Sequence, residues 1–474
     1  MVPVAAAAEE NDLFGTSDWR LSKPATNGQI EGYTDRASAV PGTRVALKVS
    51  TEARGFHVEA YRFGWYDGGT ARLVWASRTV QGQRQADPSF YDYSRRTVVA
   101  RWQTSVRLPT GGWPAGAYVL KLVASDGWQA QVPYVVRSTS SDGRVALVAP
   151  ITTWQAYNNW GGYSLYEGRP GDRRAWAVSF DRPYPAPGAD QMLFGVYSVV
   201  VRAERLGIPL AYFTNVDVAT LPDVLRGARG YVSMGHDEYW TPRMRRVVLG
   251  ARDQGTNLAF LGADTMYWRI RLQDTQTGPD RVVIGYRSDA HLDPLRHARP
   301  ALTTGRFRDP PVPQPEDSLT GVGYECYPVD APYVVTTPGW WGFKGTHTTA
   351  GEEFPHLVGV EADRVYPVAS TPRPLQILSN VRYRCGGIDT SAQSVYYTAR
   401  SGAGVFTAGT LRWTCAMSGR CAPYTMARRT VRFTTTVTDN LLREFAQGPV
   451  GRRHPAHDNV DRFRLPAVNT VPAS

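Results

Sequence analysis

The segment from Gly235 to Trp240, GHDEYW, crowds an imidazole, two carboxylates and a phenol onto a glycine. His236, Asp237, Glu238 and Tyr239 are all competent metal ligands, and their oxygen donors suit hard ions such as Fe(III), Mg or Mn. A phenol of pKa ~10 must lose its proton to bind, which a trivalent cation would drive. His236 and Glu238 are also suited to moving protons. A plainer reading stands beside these: Asp237 and Glu238 could cap and open the helix expected after Pro242. Other chemistries lack their residues. The chain contains no G-x-S-x-G elbow, no P-loop and no HExxH, and none of its cysteines follows a strand as Gly-x-Cys-x-Gly.

The neighbouring residues say how this segment is held. An apolar run from Ala228 to Met234 precedes it, Met244, Val247, Val248 and Ala251 recur at helical spacing after it, and a second apolar run, Leu258 to Gly262, follows. Strand, polar loop, helix and strand make an α/β unit with its loop at the carboxyl edge of a sheet, where open α/β sheets bind ligands. VALVAPI, PLAYFTNVDV and a helix pattern over Asp190 to Leu206 extend the alternation, so a mostly parallel, doubly wound sheet is expected from Arg144 onward. Asn158, Asn159 and Trp160 are placed in a loop after the first of these strands. Gly161 and Gly162 there would allow close backbone approach to a ligand.

Residues 28–137 read differently. Short β-branched and aromatic runs such as FHVEAYRFGWY and GAYVLKLVAS, separated by Gly, Pro, Asp and Asn, predict a β-sandwich. Segment 1–27 is expected to be extended, STSSDG to link the sandwich to an α/β domain over 144–445, and 446–474 to form a tail. The last third holds all four cysteines. Three pairings are possible; Cys415–Cys421, closing a short loop, and Cys326–Cys385 are favoured over a zinc site, since no CxxC occurs. Two disulfides point to an exported protein, and MVPVAAAAEEN resembles the remnant of a removed signal region behind an added Met. Only four of the 53 basic residues are lysine, so the net charge of +11 reflects an arginine skew without a dense basic block, and no nucleic-acid partner is expected. No apolar run reaches the ~18 residues of a membrane span.

Several motifs together, YRFGWYDGG, WQAYNNWGGYSLY, VSFDRPY, GHDEYW and FLGADTMYW, give the chain a resemblance to the N,N-dimethylformamidase large-subunit family over roughly residues 28–445. The resemblance implies an amidotransferase-like (flavodoxin-like) α/β domain lacking the cysteine nucleophile, behind the β-sandwich and with a disulfide-tied C-terminal part. It implies hydrolysis of a C–N amide bond in a small molecule. It also implies a mononuclear iron held by two tyrosines and a glutamate, carried over here as Tyr197, Tyr239 and Glu325. His236 and Glu238 are then the proton-moving residues, and Tyr157, Asn158, Trp160 and Asp264 line the substrate pocket. Relatives often have Asn in place of Asp264. No small helical subunit is evident, and a homo-oligomer is possible. Two other classes remain open. The 14 Trp and 25 Tyr would serve a secreted carbohydrate- or cell-wall-binding protein on a degenerate enzyme scaffold, and the same site could serve a lyase or cyclase.

Overall fold

A computed structural model describes residues 10–465; the signal-remnant reading of the first residues and the end of the tail fall outside them. The chain is mixed α and β, with more sheet than helix. In the first region, β1 (Ile30–Thr34), β3 (Arg44–Thr51) and β6 (Val106–Pro109) form one antiparallel sheet. A second sheet runs in the order β2 (Ser38–Ala39), β8 (Gln129–Val136), β7 (Gly116–Ala124), β4 (Gly55–Tyr66), β5 (Gly69–Ala76). Alternate residues point into a shared core: Val45, Leu47 and Val49 from one sheet meet Val58, Ala60, Leu120, Leu122 and Val132 from the other.

The second region is built on a seven-stranded sheet. β9 (Val145–Ala149) lies between β10 (Leu210–Thr214) and β11 (Gly230–Ser233). β12 (Asn257–Phe260), β17 (Gly404–Thr407), β16 (Ile388–Thr398) and β15 (Leu375–Cys385) continue it in that order. The five strands from β10 to β17 are parallel; β16 and β15 turn antiparallel. The parallel strands are buried on both faces, which is why they read as continuous apolar runs.

Helices α1 (Ile151–Tyr157), α2 (Asp190–Gly195), α3 (Tyr197–Arg205), α4 (Asn215–Thr220), α5 (Pro242–Asp253) and α6 (Arg428–Ala446) cover this sheet. No helix among the described residues is long and apolar enough to cross a membrane.

Some expectations shift in detail. The helix expected over 190–206 is two helices broken at Val196. The strand expected through NVDV ends at Thr214, whose side chain accepts the Asp217 N–H and starts α4 instead. Helix α1 stands between β9 and the Asn158–Trp160 loop.

Two extra strands, β13 (Gly323–Val334) and β14 (Glu353–Arg364), form a separate antiparallel pair. Cys326 of β13 is bonded to Cys385 at the end of β15, which ties this pair to the edge strand of the central sheet, and Cys415 is bonded to Cys421. No free cysteine occurs among the described residues.

Helix α3 packs on β4. Arg62 of β4 forms a buried ion pair with Glu204 of α3 and donates to the Tyr66 hydroxyl (3.0 Å) and to Ala115 O (3.1 Å). The Tyr212 hydroxyl also donates to Glu204.

Candidate functional site

The GHDEYW segment leaves the carboxyl end of β11 and runs to Thr241, whose hydroxyl accepts the Met244 N–H (3.1 Å) and caps α5. Asp237 and Glu238 therefore do not serve as the helix cap. Gly235 has φ +81, and a Cβ there would lie 2.8 Å from the Gly195 Cα, so the close crossing of α2 requires glycine. Asp237 is fully buried and structural. Its carboxylate accepts from Ser233 Oγ (2.7 Å) and Asn215 Nδ2 (3.2 Å), and burial pushes its pKa up to about 6 against those bonds.

Glu238 is the centre of the polar cluster. Its backbone N–H donates to Thr153 Oγ1 of α1 (3.0 Å), which aims the side chain at two phenols. Tyr157 donates to Oε2 (2.9 Å) and Tyr166 to Oε1 (2.8 Å), and the two rings stack with centroids 4.2 Å apart. Tyr239 donates to the Tyr166 oxygen (2.8 Å), completing a relay of hydroxyls that ends on one carboxylate. Burial raises the pKa of Tyr157, Tyr166 and Tyr239 well above the ordinary phenol value, and the nearby carboxylates reinforce this for each. All three are protonated donors at neutral pH. Burial also raises Glu238, although His236 and Arg287 pull it down. The Arg287 guanidinium lies 3.7 Å above the Tyr166 ring and 4.9 Å from that of Trp268, and donates to Leu165 O (2.6 Å).

His236 faces a second group of acids. Its Nε2 is 3.1 Å from Glu361 Oε2 and 3.4 Å from Glu238 Oε2. Burial alone would lower its pKa; Glu361 above all, then Glu238 and Asp237, push it up to about 9. Asp264 follows β12 in the left-handed region (φ 54), and its backbone N–H donates to Asp363 Oδ1 (2.8 Å). Burial, then Glu238, Glu361 and Asp363, raise its pKa well above the ordinary value.

The expected site residues separate into two sets. His236, Glu238, Tyr239, Tyr157 and Asp264 belong to this cluster. Tyr157 and Asn158 also line an adjoining cavity of about 180 Å³ with Trp154, Tyr184, Asp190 and Gln191. Trp160 turns away: its Nε1 donates to Glu31 Oε2 (3.1 Å) and its ring meets Trp102, so it fastens the loop to the first region. Tyr197 packs its ring on Trp19 and Phe63, each with centroids 5.2 Å away. Glu325 is buried against Arg364 (3.2 Å), with the Tyr366 and Thr390 hydroxyls donating to it.

Tyr197, Tyr239 and Glu325 are thus held by three different sets of partners, and an iron centre built from them does not fit this arrangement. Tyr166, Arg287 and Glu361 were missed as site residues. Tyr166 lay in a quoted motif, and Glu361 and Asp363 share one face of β14 at strand spacing; Arg287 carried no local signal.

A family model described as N,N-dimethylformamidase beta subunit-like, C-terminal, matches residues 57–426. No curated protein matches the chain.

Proposed function

The chain belongs to the N,N-dimethylformamidase beta subunit-like family, and from that premise we propose that it hydrolyses a C–N amide bond of a small, non-peptide molecule. The observation that carries the proposal is the desolvated Glu238 carboxylate, fixed by two tyrosine hydroxyls beside the cavity that Tyr157 lines. The adjoining cavity of about 180 Å³, lined by Tyr157 and not by Glu238 itself, suits a substrate of few heavy atoms, well below the volume of drug-sized pockets. Glu238 takes a proton from water as the water oxygen bonds to the carbonyl carbon, and passes it to the nitrogen as the C–N bond breaks. Arg287 carries a buried Nε–H without a hydrogen-bond partner, a donor for the developing oxyanion. His236 holds Glu238 in place through its charge contact.

The strand order, with β10 outside β9 and then β11, β12 and β17, supports a flavodoxin-like, amidotransferase-type domain behind a β-sandwich. The family's beta-subunit-like description leaves room for a partner subunit, and the two disulfides favour export.

The test is turnover of small formamides and acetamides, beginning with N,N-dimethylformamide, followed by NMR for released amine and acid. Glu238→Gln should lose about 100-fold or more in rate while keeping its fold. Failure of the wild type to cleave any small amide would sink the reading.

A further inference from the structure

We propose that the joint between the two regions binds one halide-sized monovalent anion, held by Arg182, Arg281 and Tyr184. All three line a cavity of about 30 Å³ whose walls also come from β1 and β8 of the first region and from Trp154 of α1. A void of this size takes one or two water-sized bodies and is too small for phosphate or sulfate. Two arginines and no acidic residue line it.

Asp181, Arg182 and Tyr184 belong to the VSFDRPY motif, which the hydrolase reading leaves unused. The strand Ala177–Ser179 pairs with Gly278–Ile284, and the Phe180 N–H donates to Arg281 O (2.9 Å), so the two arginines come to neighbouring positions. Arg281 is neutralised there by Asp181, at 2.7 Å. Arg182 is not. It is 1% exposed, and its terminal N–H groups donate only to backbone carbonyls: Trp160 O (3.0 Å), Tyr163 O (2.8 Å) and Asn158 O (2.6 Å). Its Nε is buried without a hydrogen-bond partner.

Burial pulls the Arg182 pKa down to about 9, with only the Tyr184 phenol acting the other way, so the group is still charged at neutral pH. A desolvated charge without a counter-ion is costly. Tyr184 lies in the field of both guanidiniums, Arg281 and then Arg182 drawing its pKa down against burial, and its hydroxyl bonds to none of the described residues. An anion in the cavity accepts from the orphaned Nε and from this hydroxyl, and supplies the missing negative charge. Arg182 fastens the Asn158–Tyr163 loop through those carbonyls, so the anion locks that loop against the first region. Its binding does not depend on the hydrolase reading.

The full chain, dialysed free of halide into sodium gluconate, is melted while sodium chloride replaces the gluconate at constant ionic strength, which keeps screening unchanged. The midpoint should rise with the logarithm of chloride concentration once the site fills, and bromide should act like chloride. Tyr184→Phe keeps both guanidiniums and should need at least about 10-fold more chloride for the same rise. Arg182→Met should abolish the dependence. If Arg182→Met proves unfolded, anomalous diffraction from wild-type crystals grown in bromide decides the matter, with a peak expected beside Arg182 Nε. Three results would overturn the site: a midpoint indifferent to chloride, an unaltered chloride response in folded Tyr184→Phe and Arg182→Met, or bromide at the outer surface only, as an adventitious ion, with water in the cavity. Failure to cleave any amide would remove the hydrolase reading and leave this site standing.

Discussion

The buried pair Arg62–Glu204 is expected to clamp the first region of the chain onto the sheet that carries the site, and its removal can be worked through in numbers. The side chains are 5% and 3% exposed. Glu204→Ala leaves a guanidinium that cannot deprotonate, with only the Tyr66 hydroxyl and the carbonyls of Ala115 and Phe63 for partners. Arg62→Ala leaves a buried carboxylate with the Tyr212 hydroxyl. Breaking a buried pair on one side costs about 3–5 kcal/mol, whereas replacing both partners with apolar residues of similar volume is often close to neutral. Each single variant should therefore lose several kcal/mol, while Arg62→Met with Glu204→Leu loses less than either.

For a chain of this size about 1 kcal/mol shifts the midpoint by ~1–2 °C, so the single variants should melt roughly 3–10 °C lower. Calorimetry of the wild type, Arg62→Met, Glu204→Leu and the double variant completes the cycle, and a single transition splitting into two in the single variants would show that the clamp couples the regions. Singles costing under about 1 kcal/mol, or a double variant costing the sum of the singles, would refute the reasoning.

Other outcomes follow from the same structure. The Cys326–Cys385 bond closes a separation of 59 residues and Cys415–Cys421 one of 6. On chain entropy alone their loss costs about 4 and about 2 kcal/mol, so Cys326→Ser/Cys385→Ser should lower the denaturant midpoint more than the other double variant, and a reversed order would contradict this. Thr241→Ala should cost about 1 kcal/mol by removing the α5 cap, readable in the same titration; no change would mean another group serves as cap. Asp217, 6% exposed, has its pKa raised by burial although Thr214, Ser38 and Arg137 draw it down. A carboxyl whose folded pKa is raised costs stability when ionised, and that cost fades as pH falls towards the unfolded value near 3.9. The wild type should therefore gain stability relative to Asp217→Asn as pH is lowered from 7 to 4; a loss in that comparison would show that the carboxylate is stabilised by its partners instead.

How far the site could be read in advance depended on how local its residues are. GHDEYW announced itself because a strand, a glycine turn and a capped helix lie within one stretch, and the position of Glu238 follows from that stretch plus one threonine of α1. Tyr157 was legible because it lies just past β9, at the end of the helix α1 that starts from that strand's carboxyl edge. Trp160, from the same motif, bonds to Glu31 in the other region, a partner no spacing reveals. Tyr197 was carried over as a ligand by the resemblance alone, and its ring instead closes the aromatic contact with Trp19 and Phe63. Glu361 came from a strand that reads as ordinary sheet.

The sequence by itself determined the strand–loop–helix–strand unit around GHDEYW, the carboxyl edge that carries the polar loop and the family. Apolar periodicity, glycine turns and caps act over a few residues and leave a pattern in any window. It also favoured both disulfide pairings among the three possible. Only the tertiary structure decided which acids share one site. It carried Glu361 and Asp264 to His236 and Arg287 to Tyr166, and left Tyr197 and Glu325 with other partners. Those assignments turn on how separate elements stack and which polar atoms they leave unpaired, a balance of desolvation and packing that exists only once the chain is folded.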